Sequence, residues 1–257
     1  MKGLSRRMLL ASVGAGLFTL SGIAAAAADA PPVQLIIAGD STAAEYGPER
    51  APRAGWGMML QPLFDDGVAV VNLAKSGRST RSFIDQGLWN EVTARIRPGD
   101  HVLIQFGHND QRRDDPARYT DPAADYPANL TRMVADVRAR GGLPVLLTPV
   151  ARRLFEGGRM VQTHEPYLTA MRQVAATHQV PLIDVTVATM AHMEGFGQEG
   201  SKALYMVFPP GTYPAYPDGS EDNTHFSKQG AQDVARLVAD GLRQAGLPIA
   251  LHLKTGL

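Results

Sequence analysis

Five short apolar runs, separated by stretches of helical periodicity, limit this chain to one broad architecture. They fall at residues 33–38 (VQLIIA), 68–73 (VAVVNL), 101–106 (HVLIQF), 143–148 (LPVLLT) and 180–185 (VPLIDV). An unbroken apolar run of about six residues, bounded by turn signals, reads as a strand covered on both faces. Between the runs, apolar side chains recur at helical spacing: Ile84, Leu88, Val92 and Ile96; Tyr126, Leu130, Met133, Val134 and Val137; Tyr167, Leu168, Met171 and Val174. A last stripe, Ala231, Val234, Val238 and Leu242, marks a helix over 227–244. Trp56, Met59, Leu60, Leu63 and Phe64 keep the same spacing, with Pro62 interrupting it. Strands alternating with helices predict an α/β fold, a parallel sheet with helices on both faces. Pro144 and Pro181 fall where strands begin, a place where a missing ladder donor is tolerated. Residues 193–224, rich in Gly, Pro and aromatics, read as a long ordered loop. The end of the chain, 247–257, reads as a packed tail or short strand.

The first residues stand apart from this pattern. Lys2, Arg6 and Arg7 precede an apolar stretch, 8–23, and a small-residue tract, 24–28, the three-part layout of an export signal. The segment SRRMLL resembles the twin-arginine type. The apolar stretch is short for a membrane span, which takes about 20 residues. The expected organisation is therefore a signal peptide over 1–28 and a single domain over 29–257, exported to the periplasm or beyond the cell. With no cysteine, the chain has no disulfide, no thiol nucleophile and no thiolate metal site. Its 25 basic and 25 acidic side chains, without long runs of either, give no electrostatic reason to bind nucleic acid or an anionic membrane.

In parallel sheets ligands bind at the carboxyl ends of the strands. Ser41 follows the first run, Gly77 the second, and Asn109 with Asp110 the third, so polar clusters collect at one edge. Acyl transfer by a serine needs a base within reach of the hydroxyl, a group that orients the base, and donors for the developing oxyanion. His225 and Asp222, three apart in a turn, can point the same way. Gly77 offers an unshielded backbone N–H and Asn109 a side-chain amide. Each residue also has a plainer account: a helix cap for Ser41, a turn glycine, a loop asparagine, a loop aspartate and a helix-flanking histidine. His108 has no partner at a metal-ligand spacing and reads as structural. No G-x-S-x-G elbow, G-x-G-x-x-G fingerprint or phosphate-binding G-x-x-x-x-G-K-[ST] loop is present, and no metal or cofactor is expected.

Taken in order, Gly39-Asp40-Ser41, Gly77, Gly107-His108-Asn109-Asp110 and Asp222-x-x-His225 resemble the blocks of the GDSL/SGNH hydrolase superfamily. The resemblance implies a three-layer α/β/α sandwich around a flavodoxin-like five-stranded parallel sheet. It implies Ser41 as nucleophile, His225 as base oriented by Asp222, and an oxyanion hole from the Ser41 and Gly77 N–H groups with the Asn109 amide. Gly55-Trp56-Gly57, Ser76-Gly77-Arg78-Ser79, Gln105 to Asp110 and Asp222 to Ser227 look more narrowly like the rhamnogalacturonan acetylesterase branch, which deacetylates pectin-derived polysaccharide. An acetylated oligo- or polysaccharide is then the expected partner. Arg78 and Arg81, beside the oxyanion loop, are candidates to pair with uronate carboxylates. Trp56 and the tyrosines of 205–216 are candidates for an apolar wall against sugar faces. A general esterase or lysophospholipase of the same superfamily, and a non-catalytic carbohydrate-binding protein, are the alternatives. The sequence leaves the oligomeric state open.

Overall fold

A strand that alternates its side chains between two covered faces must be apolar wherever both faces are covered, and β1 meets that condition from Leu35 to Ala38, all fully buried. In the computed structural model, which describes residues 31–256, the strands in chain order are β1 (Val33–Gly39), β2 (Arg53–Ala54), β3 (Val68–Asn72), β4 (His101–Gln105), β5 (Leu143–Leu147), β6 (Phe155–Glu156), β7 (Arg159–Met160), β8 (Leu182–Ile183), β9 (Tyr205–Phe208) and β10 (Ser220–Ser227). The helices are α1 (Thr80–Asp85), α2 (Leu88–Arg95), α3 (Asp125–Ala139), α4 (Tyr167–Thr177), α5 (Val185–Gly200) and α6 (Lys228–Gln244). The five apolar runs build one parallel sheet in the order β3-β1-β4-β5-β8. Leu35 and Ile37 of β1 face a layer with Trp56, Val234, Val238 and Leu242, the last three from α6. Ile36 and Ala38 face the opposite layer with Phe83, Trp89 and the apolar stripes of α3 and α4. The expected three layers are therefore present, and each strand's two faces feed different cores. Each fully buried Val, Leu or Ile in these layers contributes roughly 1.5–3 kcal/mol.

Three expectations change in detail. The stretch from Trp56 to Phe64 forms two 3-10 turns, Trp56–Met59 and Gln61–Leu63, because Pro62 cannot continue a helix begun before it. The stripe from Ile84 to Ile96 is two helices, since Gly87 adopts a left-handed conformation at φ 78 between α1 and α2. The long loop expected over 193–224 is largely regular structure: the end of α5, a 3-10 turn at Ser201–Leu204, and β9 with β10. The last two join β2 in an antiparallel sheet of order β2-β10-β9. The tail packs as a 3-10 turn, Pro248–His252, with Ile249 and Leu253 buried and Leu253 bridged to Phe64.

From Pro32 onward the chain forms one compact unit. The expected signal peptide, 1–28, lies outside the described residues. Among the described residues no helix is long and apolar enough to cross a membrane.

Helix α6 approaches the turn at 201–204 so closely that a Cβ at Gly230 would stand 1.9 Å from the Leu204 carbonyl oxygen. Ala is favoured over Gly in an open helix by about 1 kcal/mol. At Gly230 the clash reverses that sign, so Gly230→Ala is expected to lower the thermal midpoint; a raised midpoint would show that α6 is not seated this closely.

Candidate active site

The turn after β1 is shaped by a buried carboxylate. Asp40, fully buried, accepts through Oδ1 from the Thr42 N–H at 2.9 Å and the Thr42 hydroxyl at 2.8 Å. Burial pushes the Asp40 carboxyl up, and the two Thr42 donors pull it part of the way back. The Ser41 carbonyl accepts from the Tyr46 hydroxyl at 2.7 Å, and the Arg53 guanidinium covers the Tyr46 ring at 4.6 Å. Ser41 is thus held at the carboxyl edge of the sheet with its backbone fixed from both sides.

The imidazole that meets it comes from the other sheet. His225 Nε2 lies 2.8 Å from Ser41 Oγ, and His225 Nδ1 lies 2.6 Å from Asp222 Oδ2. Residues three apart on a regular strand face opposite sides. Here Asp222 pairs with Met206 and Phe226 pairs with the very next residue, Tyr205, leaving Asn223, Thr224 and His225 without ladder partners. That bulge brings both side chains to one side. Asp222 Oδ1 closes it by accepting from the Thr224 N–H at 2.9 Å and the His225 N–H at 3.1 Å. Burial raises the Asp222 carboxyl, but the His225 hydrogen bond and charge with the two N–H donors outweigh it and hold it at about 2. An ionised Asp222 can only accept, so His225 Nδ1 donates to it. The neutral ring's Nε2 is left to accept the Ser41 hydroxyl proton.

Of the remaining members, Gly77 sits on the turn between β3 and α1 and Asn109 follows β4. Lys75 N–H donates to the Gly39 carbonyl at 2.9 Å, tying this turn to the end of β1. Gly77 takes φ 77, which glycine alone adopts without strain. Asn109 donates through Nδ2 to the Arg78 carbonyl at 2.9 Å. Beside it, fully buried Asp110 accepts through Oδ1 from the Thr80 N–H at 3.0 Å, the Thr80 hydroxyl at 2.6 Å and the Thr120 hydroxyl at 3.0 Å. Burial pushes the Asp110 carboxyl up to about 7 against these donors. Asn109 and Asp110 therefore grip the Gly77 turn from the end of β4.

Two expected substrate contacts are corrected. Trp56 is fully buried: its backbone N–H donates to the Thr42 carbonyl at 2.9 Å and its Nε1 donates to Gln105 Oε1 at 2.8 Å, so it supports the Ser41 turn from beneath. Arg81 has its guanidinium engaged, Nε donating to the Tyr119 carbonyl at 2.8 Å and Nη2 to Asp125 at 2.7 Å. Arg78 donates to Gln86 Oε1 and the Ser76 carbonyl, both neutral, so its charge is unpaired by these contacts. Tyr205 is buried with its hydroxyl on the Ala151 carbonyl, while Tyr213 and Tyr216 pack on Phe208.

Two residues at the site were assigned no role from the sequence. Gln105 is the one polar side chain in the middle of an apolar run after His101, and that break was a usable signal. Arg118 gave none: held by Asp115 at 2.9 Å through Nε, it sets both terminal nitrogens within 3.8 Å of where a Gly77 side chain would begin. His108 packs edge-on against His164, ring nitrogens 3.1 Å apart, as a buried pair. Burial, then the nearby Arg152 charge, pushes the His164 imidazole down to about 3. Among the described residues no group of three or more His, Cys, Asp and Glu is placed to hold a metal ion.

A hydroxyl, an imidazole and a carboxylate in line at the carboxyl edge of a parallel sheet is the layout of a serine-type hydrolase. The sequence pattern of the GDSL-like lipase/acylhydrolase family matches residues 37–232, and the chain belongs to that family and is a carboxylic ester hydrolase. It is 45% identical over 223 residues to the rhamnogalacturonan acetylesterase RhgT of Bacillus subtilis (strain 168), a match covering 86% of this chain and 94% of that one. Its fold resembles that of the B. subtilis protein YxiM at a TM-score of 0.74 and 27% identity, over 84% of this chain and 58% of that longer one. A catalytic mutant of an acetylxylan esterase from Geobacillus stearothermophilus shares the fold at a TM-score of 0.57 and 20% identity, over 84% and 95% of the two chains.

The histidine pair carries a signed prediction. An unfolded histidine takes up its proton near 6.5, whereas His164 does so only near 3. Between those values the unfolded chain binds the additional proton, so this group's stabilisation is present above 6.5 and is lost as pH falls. His164→Gln should flatten that acid limb when urea midpoints at about pH 7 and about pH 5 are compared with the parent. An unchanged slope would mean the imidazole is not held neutral.

Proposed function

We propose that this chain is a serine acetylesterase that removes O-acetyl groups from acetylated rhamnogalacturonan through an acetyl-enzyme on Ser41. The observation that carries the chemistry is the unbroken line from Ser41 Oγ through His225 to Asp222, at 2.8 Å and 2.6 Å. The substrate follows from the rhamnogalacturonan acetylesterase that this chain resembles at 45% identity.

In this reading His225 Nε2 takes the Ser41 proton as Oγ attacks the acetyl carbonyl carbon. The imidazolium so formed is held by the Asp222 carboxylate. The negative charge that develops on the carbonyl oxygen is met by the Ser41 and Gly77 N–H groups and the second amide hydrogen of Asn109, the first being on Arg78. His225 then returns the proton to the departing sugar oxygen, and the acetyl group stays on Ser41. Water enters, gives a proton to His225 as it attacks the acetyl carbonyl carbon, and Ser41 Oγ leaves taking that proton from His225, which releases acetate and restores the starting site. Arg78, whose acceptors are neutral, supplies positive charge beside Gly77, and Arg118, paired with Asp115 through Nε, turns its terminal nitrogens to the same turn, an arrangement suited to an acidic polysaccharide. Export of the chain through residues 1–28 belongs to the same proposal, since a plant cell-wall polysaccharide lies outside the cytoplasm.

Acetate release from acetylated rhamnogalacturonan tests the reading. Ser41→Ala should abolish it, and Asn109→Ala should leave a remnant about 10²–10³ below the parent. Arg118→Gln should raise KM for acidic acetylated oligosaccharides while leaving that for p-nitrophenyl acetate near the parent value. Near-parental release by Ser41→Ala would overturn the assignment. For export, N-terminal sequencing of the mature protein should begin near Asp29, and an intact Met1 on protein found outside the cytoplasm would contradict it.

A further inference from the structure

The two halves of the proposed relay belong to different sheets. Ser41 extends from β1 of the parallel sheet, whereas Asp222 and His225 sit on β10 of the antiparallel one. Asp222 pairs with Met206, but the three residues that follow, Asn223, Thr224 and His225, have no ladder partners, so strand pairing does not fix the stretch that carries the imidazole. Misplacement by about 1 Å can cost roughly 10²-fold in rate. Something must register this segment against the main sheet.

Arg153, in the segment that follows β5 at the carboxyl edge, makes the connection. Its backbone N–H donates to the Asn223 carbonyl at 2.8 Å, and its Nη1 donates to Asn223 Oδ1 at 2.9 Å. Asn223 is the residue directly after Asp222. From the same guanidinium, Nε donates to Ser201 Oγ at 3.0 Å and Nη2 donates to the Gln198 carbonyl near the end of α5. Gln198 lies just past the break in α5 at Gly197 (φ 69), and its carbonyl also accepts from the Ser201 hydroxyl at 3.1 Å. Every acceptor around this guanidinium is neutral, and Phe155 covers it at 5.7 Å. One rigid, planar fork thus joins the edge of the parallel sheet, the end of α5 and the unpaired stretch of β10.

We propose that Arg153 is a positioning residue for the reaction: by gripping Asn223 through both its backbone and its side chain, it sets the Asp222–His225 pair in register with Ser41. The inference rests on the serine esterase reading above and adds to it the contact that holds the two halves together. Arg153 touches no reacting atom. Its effect passes through the hydrogen-bonded acceptor on Asn223, an exposed residue whose replacement leaves both cores untouched.

The test uses the full chain and four proteins: the parent, Arg153→Met, Asn223→Leu and Asn223→Asp. The readouts are kcat and KM on p-nitrophenyl acetate, the rate of Ser41 labelling by a serine-directed phosphonate, and the thermal midpoint. Arg153→Met and Asn223→Leu should lower kcat and the labelling rate together by about 10- to 100-fold with KM within about twofold. Asn223→Asp, which keeps the acceptor, should retain most of the parental kcat. If Arg153→Met does not fold, the two Asn223 variants decide the matter. Parental kcat in Asn223→Leu, or an equal loss in Asn223→Asp, would overturn the role of Arg153. A parent that neither turns over ester nor labels at Ser41 would instead overturn the esterase reading.

Discussion

The contact on which the site depends is the 2.6 Å hydrogen bond between His225 Nδ1 and Asp222 Oδ2, and its cost is paid in backbone regularity. Two side chains three apart on a strand would face opposite ways; three residues without ladder partners reverse that. The freed N–H groups of Thr224 and His225 are not lost to solvent, because the same carboxylate accepts both. One aspartate thereby satisfies the bulge and orients the ring. The four interactions also keep Asp222 ionised, at about 2 despite its burial, which fixes the tautomer of His225 and leaves Nε2 free for Ser41. Backbone shape, electrostatics and proton position here have one cause.

Beneath Ser41 the fold tolerates polar burial that a purely structural sheet would avoid. Asp40 and Asp110 each use one carboxyl oxygen for several donors and leave the other, Oδ2, without a partner. An unmet buried polar atom costs about 1–3 kcal/mol. For Asp110 the cost is reduced by protonation, since burial lifts its carboxyl to about 7 and the group need not carry a full charge at neutral pH. The gain is local rigidity. Asp40 closes the turn that presents Ser41, Asp110 pins the first turn of α1 and with it the Gly77 loop, and Gln105 joins Trp56 to the Thr148 carbonyl beneath both. Preorganised donors of this kind need no rearrangement when charge develops.

The same physics explains what could be read from the sequence. The five strands of the main sheet were legible because burial on both faces forces an apolar residue at nearly every position, and Ser41, Gly77 and Asn109 were legible because each directly follows such a run. Helix α5 was not: of its residues only Val185, Thr186, Thr189 and Met193 are buried, so half of its inner face is threonine and no apolar stripe forms. Strand β10, SEDNTHFS, is polar except for the buried Phe226, because its middle serves the site and not the core. Trp56 was misplaced for a related reason. A tryptophan near a sugar-processing site suggests stacking, but a buried indole N–H needs an acceptor, and Gln105 in the adjacent strand supplies it.

Those corrections bear on how such a fold keeps its chemistry while varying its substrate. Gly55-Trp56-Gly57 faces inward: Cβ atoms at Gly55 and Gly57 would stand 2.1 Å and 2.6 Å from backbone oxygens of Ala44 and Ala43, so this motif is a close-packed buttress for the Ser41 turn. Arg81 likewise ties α1 to the first turn of α3 through Asp125. Motif residues that look available for sugar recognition are thus spent on holding the reacting groups. Arg78 and Arg118 differ from these residues in place: they lie beside Gly77, Arg78 held only by the neutral Gln86 and Ser76 acceptors and Arg118 held by Asp115 through Nε. A substitution in the buttress must displace the Ser41 turn, whereas one at an exposed rim position meets solvent instead of another side chain.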